Sequence, residues 1–375
     1  MSFESLGLSI PLLKALSDQY FTLPTPIQEA AIPAIIDGKD VLGIANTGSG
    51  KTAAYVLPLL MSLQAKPGIR NRHVNILVLV PTRELAEQVK EVFKKFSQGL
   101  PQPVKTLAVY GGVSINPQMM AMQGVNVLIA TPGRLLELVD ANSVHLSTIQ
   151  TLVLDEADKM LNLGFQEEVN KIIALLPEQR QNLLFSATLS ADIQHIHQVL
   201  LNEPAIVQIE AEEESLDLIK QVAYLVSTEK KGPYLRHLIE HHQMKQVLIF
   251  ASSVHQVDAI VHKLLKHKID ARAIHSKKSQ GSRTESLAHF KSGKLRVLVA
   301  TDLMARGIDI NELPFVINYE LPRSPKDYVH RIGRTGRAAA TGEAISLVNE
   351  SEIHHFEVIQ KKMGKKVELI DIERL

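Results

Sequence analysis

Short, continuous apolar runs recur along this chain with longer helical patterns between them, and that texture limits its possible folds more than any other feature. In the first part the runs fall at 41–44, 76–80, 107–110, 125–129, 152–154, 183–185 and 205–209. In the second they fall at 222–226, 247–250, 271–274, 297–299, 316–319 and 344–348. A strand with one wet face alternates apolar and polar residues. A strand that is apolar throughout is covered on both faces, as in a parallel sheet flanked by helices. Two doubly wound α/β domains are therefore expected, over residues 1–209 and 219–375. Residues 210–218, Glu-Ala-Glu-Glu-Glu-Ser-Leu-Asp-Leu, are acidic and lack strand character. They read as a linker, or alternatively as the start of a helix of the second domain. As a linker they span at most roughly 30 Å, at about 3.3 Å per residue.

The first run leads straight into Ala45-Asn46-Thr47-Gly48-Ser49-Gly50-Lys51-Thr52. A glycine-rich turn between a strand and a helix lets backbone N–H groups close around phosphate, which makes Thr47, Gly48, Ser49 and Gly50 the cradle. Lys51 supplies a point charge for the β- and γ-phosphates, and Thr52 a hydroxyl for Mg²⁺. The strict pattern has Gly where this chain has Ala45. The run at 152–154 ends in Asp155-Glu156-Ala157-Asp158. Asp155 can hold the metal through water, and Glu156 can orient or deprotonate the attacking water. The pair of motifs points to binding and hydrolysis of a nucleoside triphosphate with magnesium.

At 375 residues the chain can bury two or three cores, and its 45% hydrophobic content includes no run near the roughly 20 residues of a membrane span. It contains no cysteine, which excludes disulfides and thiolate zinc sites. Its first residues lack the basic and apolar regions of a signal peptide. A cytoplasmic protein without membrane attachment is expected, with monomer as the default state. The net charge of +1 conceals an asymmetry. Residues 1–218 hold 15 Lys and Arg against 23 Asp and Glu, giving −8; residues 219–375 hold 26 against 17, giving +9. A basic second half suits a polyanionic partner, and equally suits solvated helix faces.

In that half, Tyr328-Val329-His330-Arg331-Ile332-Gly333-Arg334-Thr335-Gly336-Arg337 spaces three arginines among glycines. Fixed guanidinium forks with close backbone approach suit phosphate recognition. Arg334 and Arg337 can act as arginine fingers on a nucleotide between the two domains, a device worth about 10³–10⁵ in turnover. A basic loop that binds RNA or phosphate without catalytic duty is the other reading.

With these residues in view, the chain resembles the DEAD-box RNA helicases from Phe3 to about residue 350. Phe3, Phe21 and Pro24-Thr25-Pro26-Ile27-Gln28 resemble the adenine-reading Q motif, and 45–52 resembles motif I. Pro81-Thr82-Arg83-Glu84-Leu85 is similar to motif Ia, Gly111-Gly112 to the GG segment and Thr131-Pro132-Gly133-Arg134 to motif Ib. Asp155–Asp158 carries the letters of motif II, and Ser186-Ala187-Thr188 those of motif III. In the second half Leu248-Ile249-Phe250 resembles motif IV, Gln280 and Arg283 the Q-x-x-R element, 300–309 motifs V and Va, and 330–337 motif VI.

The resemblance implies two tandem RecA-like domains, ATP and Mg²⁺ as cofactors, and single-stranded or short duplex RNA as partner. It implies adenine contacts from Phe21 and Gln28 and a ribose contact from Asp309. Arg83, Gly112, Thr131, Arg134, Arg283 and Thr301 would line the RNA track, while Asp158, Ser186, Thr188 and His330 would couple the metal site to domain closure. The chain departs from the family pattern at Tyr20 and Ser276, where Gly is usual, and at Asn46, where Gln is commoner. Its opening residues are similar to those of bacterial RhlE-type members. The expected activity is RNA-stimulated ATP hydrolysis at the interdomain cleft, coupled to local unwinding of short duplexes or remodelling of RNA–protein complexes. A slow ATP-gated RNA clamp and a DNA-acting translocase are the alternatives.

Overall fold

In the first part of the chain the apolar runs become strands β1 (Val41–Ile44), β2 (Ile76–Leu79), β3 (Thr106–Val109), β4 (Val127–Ala130), β5 (Thr151–Leu154), β6 (Gln181–Ser186) and β7 (Ala205–Gln208). They form one parallel sheet in the order β3-β4-β2-β5-β6-β1-β7. The second part supplies β8 (Ile219–Leu225), β9 (Val247–Phe250), β10 (Ala271–Ile274), β11 (Val297–Ala300), β12 (Phe315–Asn318), β13 (Gly342–Val348) and β14 (Leu369–Asp371). Their order, β10-β11-β9-β12-β13-β8-β14, repeats that of the first sheet strand for strand. The computed structural model describes residues 2–46, 48–64, 71–209, 219–302, 313–336 and 342–374. The chain divides into two compact units, 1–211 and 212–375. The expected linker at 210–218 lies outside the described residues.

Burial explains the continuous runs. Strands β1, β2, β4, β5, β9 and β11 are buried at every position, because helices cover both faces of their sheets. The helix Lys51–Gln64 follows the same logic, with ten of its residues buried, from Lys51 to Leu63. A helix apolar nearly all round belongs inside a domain. The helix Arg83–Ser97 instead buries one stripe, Leu85, Ala86, Val89, Phe93 and Phe96, and is capped by the Thr82 hydroxyl, which accepts from the Leu85 N–H at 3.3 Å.

Register places the chemistry. Leu79 pairs with Leu154, Leu154 with Leu184, and Leu42 also with Leu184, so the carboxyl ends of β2, β5, β6 and β1 lie side by side. The ladder runs one residue past the strands, with Ala45 N–H donating to Ser186 O at 3.1 Å and Asp155 N–H to Leu79 O at 3.0 Å. The loops after these strands therefore emerge on one edge of the sheet, where parallel α/β sheets bind their ligands.

Strand β14 has no counterpart among the expected runs. It is three residues long, half-buried and, among the described residues, pairs only with β8, so it carries too little apolar signal to be read from sequence. Around the short helix Asn116–Ala121, Met122 is buried and Met119 packs against the core, but Met120 is 83% exposed.

Candidate nucleotide and RNA site

Residues Ala45–Gly50 turn from β1 into the helix Lys51–Gln64, with Gly48 and Gly50 at φ +86° and +92°. Thr47 lies outside the described residues. Gly50 is doubly constrained, since a Cβ there would meet Gln28 Nε2 at 2.5 Å and Thr25 Oγ1 at 2.8 Å. Ala45 needs no such freedom: it continues β1 into the core, which is why an alanine is accommodated. Lys51 is buried, and its ammonium donates to the carbonyls of Ala45 and Asn46, the latter at 2.8 Å. Burial lowers its pKa, opposed by the charges of Asp155 and Glu156.

Gln28 ties the preceding helix, Pro26–Ile36, to this loop. Its Nε2 donates to Gly50 O at 3.1 Å, and its Oε1 accepts from Thr25 N–H at 3.0 Å. Phe21 is half-buried, edge-on to Phe96 at 5.3 Å, with the Lys95 ammonium 5.2 Å from its centroid. Tyr20, just before it, has φ +60° and a ring 92% exposed. That backbone is left-handed, which explains the glycine usual here and costs a tyrosine about 1–2 kcal/mol. Ser276, the second residue at a usual glycine, is exposed and makes no such demand.

The carboxylates lie across the loop from Lys51. Asp155 is buried; its Oδ1 accepts from Glu156 N–H at 2.8 Å and its Oδ2 from the Tyr55 phenol at 2.8 Å. Thr52 lies one helical turn before Tyr55 on the same helix. The Asp155 carboxyl is pushed up to about 6 by burial and then by Glu156, against the pull of Lys51 and Tyr55. Glu156 sits at φ +50°, an outlier for a glutamate, at the N-cap of the helix Ala157–Asn162. Its Oε1 pairs with Lys159 at 2.6 Å, while its Oε2 is buried with no hydrogen-bond partner among the described residues. A hydroxyl, an ionisable carboxylate and an orphaned carboxylate oxygen make an all-oxygen donor set that fits a hydrated hard dication. Asp158 accepts from the Thr188 hydroxyl at 3.1 Å, and the Ser186 hydroxyl donates to Thr188 O at 2.9 Å. The expected coupling residues of the first unit are thus in mutual contact.

Beside them, at the ends of β2, β3 and β4, the fold gathers the expected RNA residues of the first unit. The Arg83 guanidinium lies over Gly112, whose φ is +75° and whose missing Cβ leaves the room it occupies. Arg134 is buried, donating to Glu137 at 2.7 Å and to the Val113 carbonyl at 2.9 Å. Its Nη1 has no hydrogen-bond partner among the described residues. Thr131 is the N-cap of the helix Pro132–Asp140. In the second unit Arg283 is buried and bonded to Gln280, Thr301 follows β11, His330 lies on the helix Pro325–Ile332, and Arg334 is buried just beyond it. Asp309 and Arg337 lie outside the described residues.

Two residues with large roles here were not singled out from sequence. Tyr55 is one; its position four residues after Lys51, on the same helix face, was the available signal. Arg331 is the other. It is buried, pairs with both oxygens of Asp302, donates to Asn318 Oδ1 at 3.0 Å and to Glu320 O at 2.6 Å, and stacks 5.0 Å from the Phe250 centroid. It holds the start of one ligand loop against the helix of the other.

A phosphate loop facing a buried carboxylate pair, at the carboxyl edge of a parallel sheet, defines a protein that binds nucleoside triphosphates. Residues 25–196 match the family model of the DEAD/DEAH box helicases, and residues 230–339 that of the helicase conserved C-terminal domain. The DEAD-box ATP-dependent RNA helicase CshA of Geobacillus kaustophilus is 39% identical over 368 residues, covering 98% of this chain and 78% of that protein. CshA of Bacillus subtilis is 37% identical over 369 residues, covering 98% and 74%. The solved structure of Saccharomyces cerevisiae Dbp5 bound to RNA and ADP BeF3 superposes with a TM-score of 0.83 at 28% identity, over 99% of this chain and 95% of that one. The chain belongs to the DEAD-box family of RNA helicases, and its two sheets are the tandem RecA-like domains of that family.

Proposed function

We propose that this protein is an RNA-dependent ATPase that opens short RNA duplexes locally, or displaces proteins from RNA, using Mg²⁺ and ATP. The observation that carries the reading is the buried Asp155, held by Tyr55 beside Glu156 and Lys51, in a chain whose relatives are named ATP-dependent RNA helicases. Lys51 would exchange two loop carbonyls for phosphate oxygens, a substitution favoured by the loss of burial cost when an anion arrives. Thr47, Gly48, Ser49 and Gly50 would cradle those phosphates. Thr52 and Asp155 would hold Mg²⁺, which when bound neutralises charge on the phosphates. Glu156 would orient the attacking water through its orphaned oxygen.

The Gln28 amide spends one donor and one lone pair inside the protein and keeps one of each, enough for a two-point contact with an adenine edge. Phe21 would pack on the base and Asp309 meet the ribose. Arg83, Gly112, Thr131, Arg134, Arg283 and Thr301 would follow the RNA backbone, so sequence preference should be slight. ATP and RNA would each favour closure of the two units, and therefore each other's binding. Closure would bring Arg334 and Arg337 to the phosphates, with Asp158, Ser186, Thr188 and His330 relaying it. ATP and RNA are cytoplasmic substrates, so a cytoplasmic protein acting as a monomer completes the reading. Among the described residues no helix is long and apolar enough to cross a membrane.

Steady-state ATP hydrolysis with and without single-stranded RNA, beside a Glu156→Gln control, tests this. Strong stimulation by RNA that the control abolishes is expected, with unwinding that fails beyond about one helical turn of duplex. Equal rates with and without RNA would sink the coupling. RNA held by ATP with turnover near that of the control would leave a clamp.

A further inference from the structure

The proposed mechanism gives Tyr55 no task of its own, yet its side chain touches one residue given to the metal and follows the other, Thr52, by one helical turn. Its phenol donates to Asp155 Oδ2 at 2.8 Å. The other oxygen of Asp155 is taken by the Glu156 N–H at 2.8 Å. A carboxylate held at both oxygens cannot turn about its Cβ–Cγ bond, and each oxygen keeps a further lone pair for another donor. The phenol is itself immobile. Its ring packs against Phe185 with centroids 5.3 Å apart, and a Cβ on Gly43 would meet that phenylalanine ring at 2.5 Å, so β1 backs it closely. Phe185 immediately precedes Ser186 on β6.

A buried phenol needs an acceptor, and Asp155 could be no more than that. One fact weighs against this reading. The acceptor is a charge that is itself buried, whereas a neutral carbonyl would satisfy the phenol without a desolvation penalty.

We propose that Tyr55 is a positioning residue for the metal site: its hydroxyl fixes the orientation of Asp155, so that nucleotide is bound at a lower Mg²⁺ concentration than a phenylalanine here would allow. The proposal rests on Thr52 and Asp155 holding the cation. Tyr55→Phe keeps the ring and its packing and removes only the hydroxyl. Binding of a fluorescent ADP analogue to the full chain, titrated with MgCl₂ and repeated in EDTA, gives the half-saturating Mg²⁺ concentration separately from the metal-free affinity.

The expected result is a half-saturating Mg²⁺ concentration raised about tenfold in Tyr55→Phe, the size of effect typical when a partner of a metal ligand is removed. Metal-free affinity should stay near that of the parent protein. In an Asp155→Asn background the same change should add nothing. A shift under twofold, or one that persists undiminished in that background, overturns the proposal and leaves Tyr55 a packing residue. Nucleotide binding by the parent protein that ignores Mg²⁺ would instead overturn the metal-site reading, and the proposal with it.

Discussion

Burial disfavours the charge on Asp155, whose carboxyl is pushed up to about 6 by desolvation first and by Glu156 second. An unfolded aspartate titrates near 3.9, so the folded chain holds the extra proton between about pH 4 and 6. Stability therefore falls as pH rises through that window, and the nucleotide-free protein carries an unfavourable charge at neutral pH. Asp155→Asn should raise its melting temperature at pH 7.5 by about 2–4 °C, the shift roughly 1 kcal/mol produces in a domain of this size. The gain should shrink at pH 4.5, while ATP hydrolysis collapses. A lower melting temperature at pH 7.5 would mean that Lys51 and Tyr55 already offset the burial. Gly50 supports a second expectation. Its φ of +92° and the nearness of Gln28 leave no place for a methyl group. Gly50→Ala should lose nucleotide binding and cost more than about 1 kcal/mol of stability, read by ligand titration and thermal melting. These demands are local, and the Gly-x-Gly-Lys-Thr letters announce them. The partners that enforce them, Thr25 and Gln28, come from another element and are not visible in that motif.

At the scale of elements, the parallel ladder explains why loops far apart in sequence act together. Arg331 shows what stabilises such loops in the second unit, since it joins the end of β11, through Asp302, to the helix Pro325–Ile332 and to the end of β12. Breaking a buried pair of this kind costs about 3–5 kcal/mol, less here because Asp302 is partly exposed. Arg331→Met should lower the urea midpoint of the second unit and weaken RNA binding together. Arg331→Lys should restore little, since one ammonium cannot serve Asp302, Asn318 and Glu320 at once. RNA affinity unchanged by Arg331→Met would show that this anchor does not position Thr301 or Arg334. Thirteen strands were legible as apolar runs, most clearly β1, β2, β4, β5, β9 and β11, which are buried at every position. Strand β14 was not, since an edge strand of three half-buried residues leaves no pattern, and neither was the outward turn of Met120, which depends on where its short helix begins.

For the whole molecule, the basic second half and the backbone-directed residues predict binding governed by charge. RNA affinity should fall steeply between 50 and 200 mM salt, with a log–log slope of about −0.7 for each phosphate neutralised on a single strand. Arg83→Ala and Arg283→Ala should each make that slope shallower, by up to about that amount. A slope near zero would remove phosphate contacts as the source of affinity. By itself the sequence determined that the chain forms two α/β domains and the family to which it belongs, and it marked the loops expected to carry phosphate chemistry. Those properties follow from local patterns, since the periodicity of apolar residues and the turn-forming glycines act within a few positions. Only the tertiary structure decided that both sheets share one strand order, that Tyr55 holds Asp155, and that Arg331 anchors a loop rather than meeting a phosphate. Each of these depends on which side chains burial brings together across long separations, and desolvation, not local propensity, selects those partners.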